Sequence, residues 1–126
     1  MRVRFETKIF SFTAHLNNSF CAKEIVANLP IESFASRWGD EIYFDIGFKA
    51  SAEGASMDVE VGDIAYWSQG KSLCVFFGPT PASDTEKPVP ASPVVVIGKT
   101  SASPADLRKI QLGEKITVVL DEETKV

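Results

Sequence analysis

Near its start the chain alternates in twos. Val3, Phe5 and Thr7 are interleaved with Arg4 and Glu6, and Phe10, Phe12, Ala14 and Leu16 with Ser11, Thr13 and His15. Successive side chains of a strand point to opposite faces, so this period predicts two half-buried strands joined as an opening hairpin. The signature recurs at Ile42, Phe44 and Ile46 against Tyr43 and Asp45, and at Ile116, Val118 and Leu120. Leu73-Cys74-Val75-Phe76-Phe77 is the densest apolar strand, and Val94 to Ile97 is a short buried one ended by Gly98. Val59 to Trp67 reads as a further strand, with a bulge or tight bend at Gly62-Asp63 that Asp63 braces through its own turn.

Two stretches follow a helical spacing. Asn17, Asn18 and Ser19 can cap free backbone N–H groups, and behind them Cys21, Ile25 and Leu29 recur every four residues until Pro30 stops the helix. Ser103-Pro104-Ala105-Asp106 combines a cap, a proline in the first turn and an acid near the positive end. It opens a second short helix with Leu107 and Ile110 inward and Gly113 at its end. Phe34 and Trp38 also stand at helical spacing, with Gly39 ending their turn. Gly47 to Met57 reads as a loop. Pro79 to Pro93 holds five of the seven prolines. Proline lacks a donor and fixes φ, so this segment is a long surface excursion rather than a central strand or helix. Seven or eight short strands with two helical plugs favour a mostly-β closed barrel, which removes exposed edges.

A chain of 126 residues buries roughly two thirds of its unfolded surface, enough for one core and a single domain over residues 1–126. The net charge of −4 and scattered basic residues such as Lys8, Lys49, Lys71 and Lys99 lack the positive field that a phosphate backbone demands, which argues against nucleic acid. The longest uncharged stretch, Ile9 to Ala22, is 14 residues, against the ~20 that a membrane span needs. The opening residues show no apolar signal region, so a cytoplasmic location with reduced thiols is expected for Cys21 and Cys74.

Composition also narrows the chemistry. With two cysteines and the single histidine His15, no zinc set is expected, and no metal or cofactor site. Neither a dinucleotide fingerprint nor a Walker sequence occurs. His15 falls on the polar phase of its strand, and no nucleophile elbow accompanies it. Asp40 and Glu41 are adjacent, so on a strand they face opposite ways and cannot act as an acid–base pair. The acidic end Asp121-Glu122-Glu123 reads as a solvated tail.

The blocks Trp38-Gly39-Asp40-Glu41-Ile42-Tyr43-Phe44, Val61-Gly62-Asp63-Ile64-Ala65-Tyr66-Trp67 and Leu73-Cys74-Val75-Phe76-Phe77-Gly78-Pro79-Thr80-Pro81, with Val94-Val95-Val96-Ile97-Gly98-Lys99-Thr100, resemble the small prokaryotic cyclophilin-like family of uncharacterised proteins. The resemblance spans nearly the whole chain and implies a closed eight-stranded cyclophilin-like barrel with two short helices. Cyclophilins proper are more distant. Phe76-Phe77 and Val95-Val96-Ile97-Gly98-Lys99 are similar to two of their strands, and Glu60 stands at the glutamine of their Gln-Gly-Gly-Asp turn. Their catalytic arginine lies on a strand that here reads Ile42-Tyr43-Phe44 and has none.

The resemblance places a cleft on the barrel side where these strands meet the proline-rich excursion. Tyr43 and Phe77 would supply apolar faces, Glu41 and Glu60 carboxylates, and Thr80 a hydroxyl. Arg37 is the candidate cation, set against pairing with Asp40 or Glu41. Trp38 and Trp67 read as core or cleft wall rather than ligand stackers. The expected function is a binding module for a short peptide or small-molecule ligand. The alternative is an atypical peptidyl-prolyl isomerase in which Arg37 or other donors replace the missing arginine. Pairing as a symmetric homodimer is the expected form of any self-association.

Overall fold

The computed structural model describes residues 1–121. Nine strands follow in the order β1 (Arg2–Glu6), β2 (Ser11–Leu16), β3 (Ile31–Phe34), β4 (Ser36–Arg37), β5 (Glu41–Asp45), β6 (Asp63–Trp67), β7 (Ser72–Phe76), β8 (Val95–Lys99) and β9 (Lys115–Leu120). Helix α1 (Phe20–Ala27) lies between β2 and β3, and α2 (Pro104–Leu107) between β8 and β9. The strands form one antiparallel sheet in the order β3-β9-β1-β2-β8-β6-β7-β5-β4. It is a nearly closed barrel with one unsealed seam. The two edges, β3 and β4, are consecutive in the chain, so Ala35 bridges the seam covalently and bonds back to the β9 side through Glu114 O at 2.8 Å and Gly113 N at 2.7 Å.

The period-two signal at the start sets the interior. Val3 and Phe5 of β1, with Phe12, Ala14 and Leu16 of β2, are buried, and their neighbours along the strands are not. Phe5 stacks on Phe12 at 4.8 Å and meets the edge of Phe44 at 6.3 Å. Ile42, Ile64, Tyr66, Leu73, Val75, Ile97, Ile116 and Val118 complete the packing. Helix α1 closes one opening with Cys21, Ala22 and Ile25, and its cap Ser19 accepts from Ala22 N at 3.2 Å. Leu107 and Ile110 add to the same core.

Several expectations need correction. Phe34 and Trp38 are not helical: Ile31–Phe34 pairs with β9 and Ser36–Arg37 with β5, so tertiary strand pairing overrides a four-residue spacing. That pairing raises the strand count to nine. Helix α1 stops at Ala27, before Leu29, with Asn28 as its C-cap, and α2 is a single turn that ends at Leu107. The strand expected from Val59 begins only at Asp63, although Asp63 does brace its turn by accepting from Glu60 N at 2.8 Å. Gly98 does not end β8 but lies within it, where a Cβ would run into His15 O of β2. Asp121 is not a free tail residue. Its carboxylate pairs with Arg4 at 2.7 Å and with Arg2 at 3.5 Å, while Glu122 and Glu123 lie outside the described residues. No helix among the described residues is long and apolar enough to cross a membrane.

Strand β7 is covered on both faces, and β6 nearly so. Outside the barrel Ala65, Cys74 and Phe76 form a second apolar cluster with Val59 and Val94, flanked by Tyr43, Trp67 and Val96. This explains the unbroken run Ser72–Phe76, every residue of which is buried, since a strand packed on both faces loses its alternation.

Candidate functional site

The proline-rich excursion lies against this outer wall and is pinned along its length. It leaves the barrel beside the turn at Gly39, whose φ of +63° and contact with Thr80 and Pro81 leave no room for a Cβ. Asp40 N donates to Pro79 O at 3.0 Å. Inside the loop, Thr80 accepts from Ala82 N at 3.2 Å, donates to Val89 O, and its own N–H donates to Ser83 Oγ at 2.9 Å. Lys87 reaches Asp58 at 3.0 Å and Glu60 at 3.1 Å. Ser92 Oγ accepts from Trp67 Nε1 at 2.7 Å. Val94 and Ser56 exchange two backbone bonds, at 2.8 and 2.9 Å.

Between the loop and the wall is a cavity of about 130 Å³ lined by Trp38, Glu41, Tyr43, Trp67, Pro90, Ala91 and Val94. Alternation along β5 points Glu41 and Tyr43 outward into it, while Ile42 and Phe44 point into the barrel. In register, Glu41 stands opposite Phe76 and Tyr43 opposite Cys74. The Tyr43 and Trp67 rings meet edge to face, 6.1 Å apart and 85° inclined. The lining is therefore aromatic and aliphatic except for one acid.

That acid is Glu41, only 5% exposed. Burial pushes its carboxyl from the usual 4.5 up to about 7, with the neighbouring Cys74 thiol pulling it down. Burial and then the neighbouring Glu41 charge hold the Cys74 thiol well above 9.0. A buried thiol raised in this way carries little thiolate, which disfavours Cys74 as a nucleophile, and both cysteines are free. Among the described residues no group of three or more His, Cys, Asp or Glu is placed to hold a metal ion.

The six residues singled out from sequence fall in four places. Glu41 and Tyr43 share the cavity. Arg37 and Phe77 share the barrel end: the guanidinium lies 5.3 Å over the Phe77 ring. It donates to Ile110 O at 2.9 Å, Gly39 O at 3.0 Å and Arg108 O at 3.2 Å. Arg37 also approaches Asp40 at 3.8 Å, and Asp40 is held more closely by Arg108 at 2.9 Å. Phe77 packs in the barrel core, and Phe76 occupies the outer cluster. Glu60 is well exposed and holds Lys87, and buried Thr80 fastens the loop. Pro90, Ala91 and Val94 carried no sequence signal for this site beyond their membership of the excursion and the strand that follows it. A wider hollow of about 690 Å³ between Glu6–Lys8 and Gln111–Lys115 opens to solvent, and none of its lining residues is buried.

A family model described as Cyclophilin-like matches residues 1–119. The solution structure of a hypothetical protein from Archaeoglobus fulgidus superposes with a TM-score of 0.78 at 39% identity, covering 94% of this chain and 93% of that one. The structure of McbB in complex with tryptophan superposes with a TM-score of 0.67 at 18% identity, covering 98% of this chain and 46% of that one, a likeness of fold. No curated protein matches the chain.

Proposed function

Because the chain belongs to the cyclophilin-like family, we propose that it uses this barrel as a binding module, with the cavity under the proline-rich loop as its site. The occupant is a small molecule, or one side chain of a short peptide, with an apolar body and a hydrogen-bond donor for Glu41. A single observation carries this reading: Glu41, a residue only 5% exposed, lines a cavity that is otherwise apolar and aromatic-walled. Convergence of one polar group on an apolar hollow is the ordinary form of a ligand site. The alternative, an atypical isomerase using Arg37, would need that guanidinium beside the substrate amide. It is instead engaged with three carbonyls at the barrel end.

The test is amide and indole NMR of the protein against a panel of an X-Pro peptide, a lysine-containing peptide, choline and tryptophan. Tryptophan is included because a fold neighbour was solved with it. At least one probe is expected to shift Trp38, Glu41, Tyr43 and Trp67, and Ala91→Trp, which plugs the cavity from its exposed rim, should abolish that shift. Shifts elsewhere only, or none with the whole panel, would overturn the reading.

A further inference from the structure

We infer that the group this cavity takes is a compact alkylammonium, held by the rings of Trp38, Tyr43 and Trp67 and by the Glu41 carboxylate. This rests on the binding reading above and names its ligand class.

The first argument is the missing cation. Buried acids are rarely left without a partner, and the other carboxylate beside this strand, Asp40, has Arg108 at 2.9 Å. Among the described residues Glu41 has no basic group within ion-pair distance. Cations of the flanking segments are engaged elsewhere: Arg37 with backbone carbonyls, Lys87 with Asp58 and Glu60, and Lys99 with Asp63. No basic residue lines the cavity.

The second argument is the shape and chemistry of the walls. Two rings stand nearly perpendicular, at 85°, and a third bounds the same space. Aromatic faces attract an ammonium, and cages for quaternary ammonium are built from several such rings around one space. Size agrees with a small head: a cavity of ~150 Å³ accommodates benzene, and this one measures about 130 Å³. An anion would meet Glu41, and the indole N–H of Trp67 is already given to Ser92. A purely apolar guest would cover the carboxyl without offering it a partner.

Entry of a cation favours the ionised acid, so binding releases the Glu41 proton to solvent and tightens as pH rises from 6 to 8 through the pKa of about 7. The titratable groups facing Glu41 are Cys74 from β7 and Tyr43 from its own strand. Asp40 is turned to Arg108, and Trp38, Trp67, Pro90, Ala91 and Val94 bear no charge.

The ammonium can come from a free small molecule or from a lysine side chain, and the experiment separates the two. Calorimetric titration of the protein uses choline, its neutral isostere 3,3-dimethylbutan-1-ol, and a capped Gly-Lys-Gly peptide with its trimethyl-lysine form. At least one cation is expected to bind ten-fold or more tightly than the neutral isostere, and more tightly at pH 8 than at pH 6. Choline alone would identify a free ammonium, and a peptide alone a lysine side chain. Glu41→Gln should remove most of the preference. The comparison of cation with isostere needs only the native protein, so a poorly folding variant does not weaken it. Equal binding of the isostere at Trp67 would overturn the ammonium assignment and leave the binding module standing. No binding by any cation here, together with no cavity shift from the NMR panel, would overturn both.

Discussion

Glu41 of β5 stands in register opposite Phe76 of β7, which is fully buried in the outer apolar cluster. Glu41 is the one acid in the lining of the cavity beside that cluster, which Pro90 and Ala91 of the proline-rich loop also line. A titratable acid in such surroundings changes the stability of the protein with pH, which gives the first prediction.

Glu41 binds its proton more tightly in the folded chain, near 7, than in the unfolded chain, near 4.5. Between those values the folded state holds more protons, so its stability falls as pH rises through that window. The loss amounts to about 3 kcal/mol at most. Glu41→Gln removes this term. Denaturant titrations at pH 4.5 and pH 8 should therefore show the variant gaining on the native protein at the higher pH. Parallel pH profiles for the two proteins would contradict the burial of the acid.

Arg37 ties the turn at Gly39 to the segment after α2 and covers Phe77. Arg37→Ala should cost about 2–3 kcal/mol, because charged donors leave several partly buried carbonyls unpaired. Lysine has one compact head and cannot reproduce the planar fork, so Arg37→Lys should recover only part of it. Ligand shifts at Trp67 should persist in both variants. Their disappearance from folded protein would move the site to the barrel end.

Phe76 is fully buried in the outer cluster with Val59 and with Val94, where the chain rejoins the barrel after the proline-rich loop. Phe76→Ala should cost about 3–5 kcal/mol, as large aromatic truncations do. It should also raise hydrogen exchange in residues 79–94 more than in the β1–β2 hairpin. Equal effects on loop and hairpin would mean that the cluster is not what holds the loop.

Exchange at an X-Pro bond takes tens to hundreds of seconds without catalysis and can be followed directly by NMR. No acceleration is expected, since β5 carries no arginine and Arg37 is engaged at the barrel end. Faster exchange that Arg37→Ala abolishes would establish the isomerase alternative instead.

The barrel is legible where one face is solvated. In β1 and β2 the alternation of Phe5, Phe12 and Ala14 with polar residues fixes both the strand and its inward side. At the end of β7 it is not, because Phe76 and the following Phe77 are both buried and the residues alone do not say which faces the barrel. The sequence reading assigned Phe77 to the cleft, whereas Phe76 packs on that wall and Phe77 in the core. Glu41 was nameable as a carboxylate but not as a buried one, since its burial depends on a loop returning from 50 residues later in the chain, at Ala91. The helical spacing of Phe34 and Trp38 misled for the same reason: the partner of Ile31–Phe34 is β9, near the other end of the chain.

The most direct measurement is a ¹³C NMR titration of the Glu41 side-chain carboxyl, assigned by comparison with Glu41→Gln. A midpoint near 7, moving down when an ammonium ligand occupies the cavity, is the expected result. A midpoint near the ordinary 4.5, unmoved by every ligand tested, would contradict a buried recognition acid beneath the proline-rich loop.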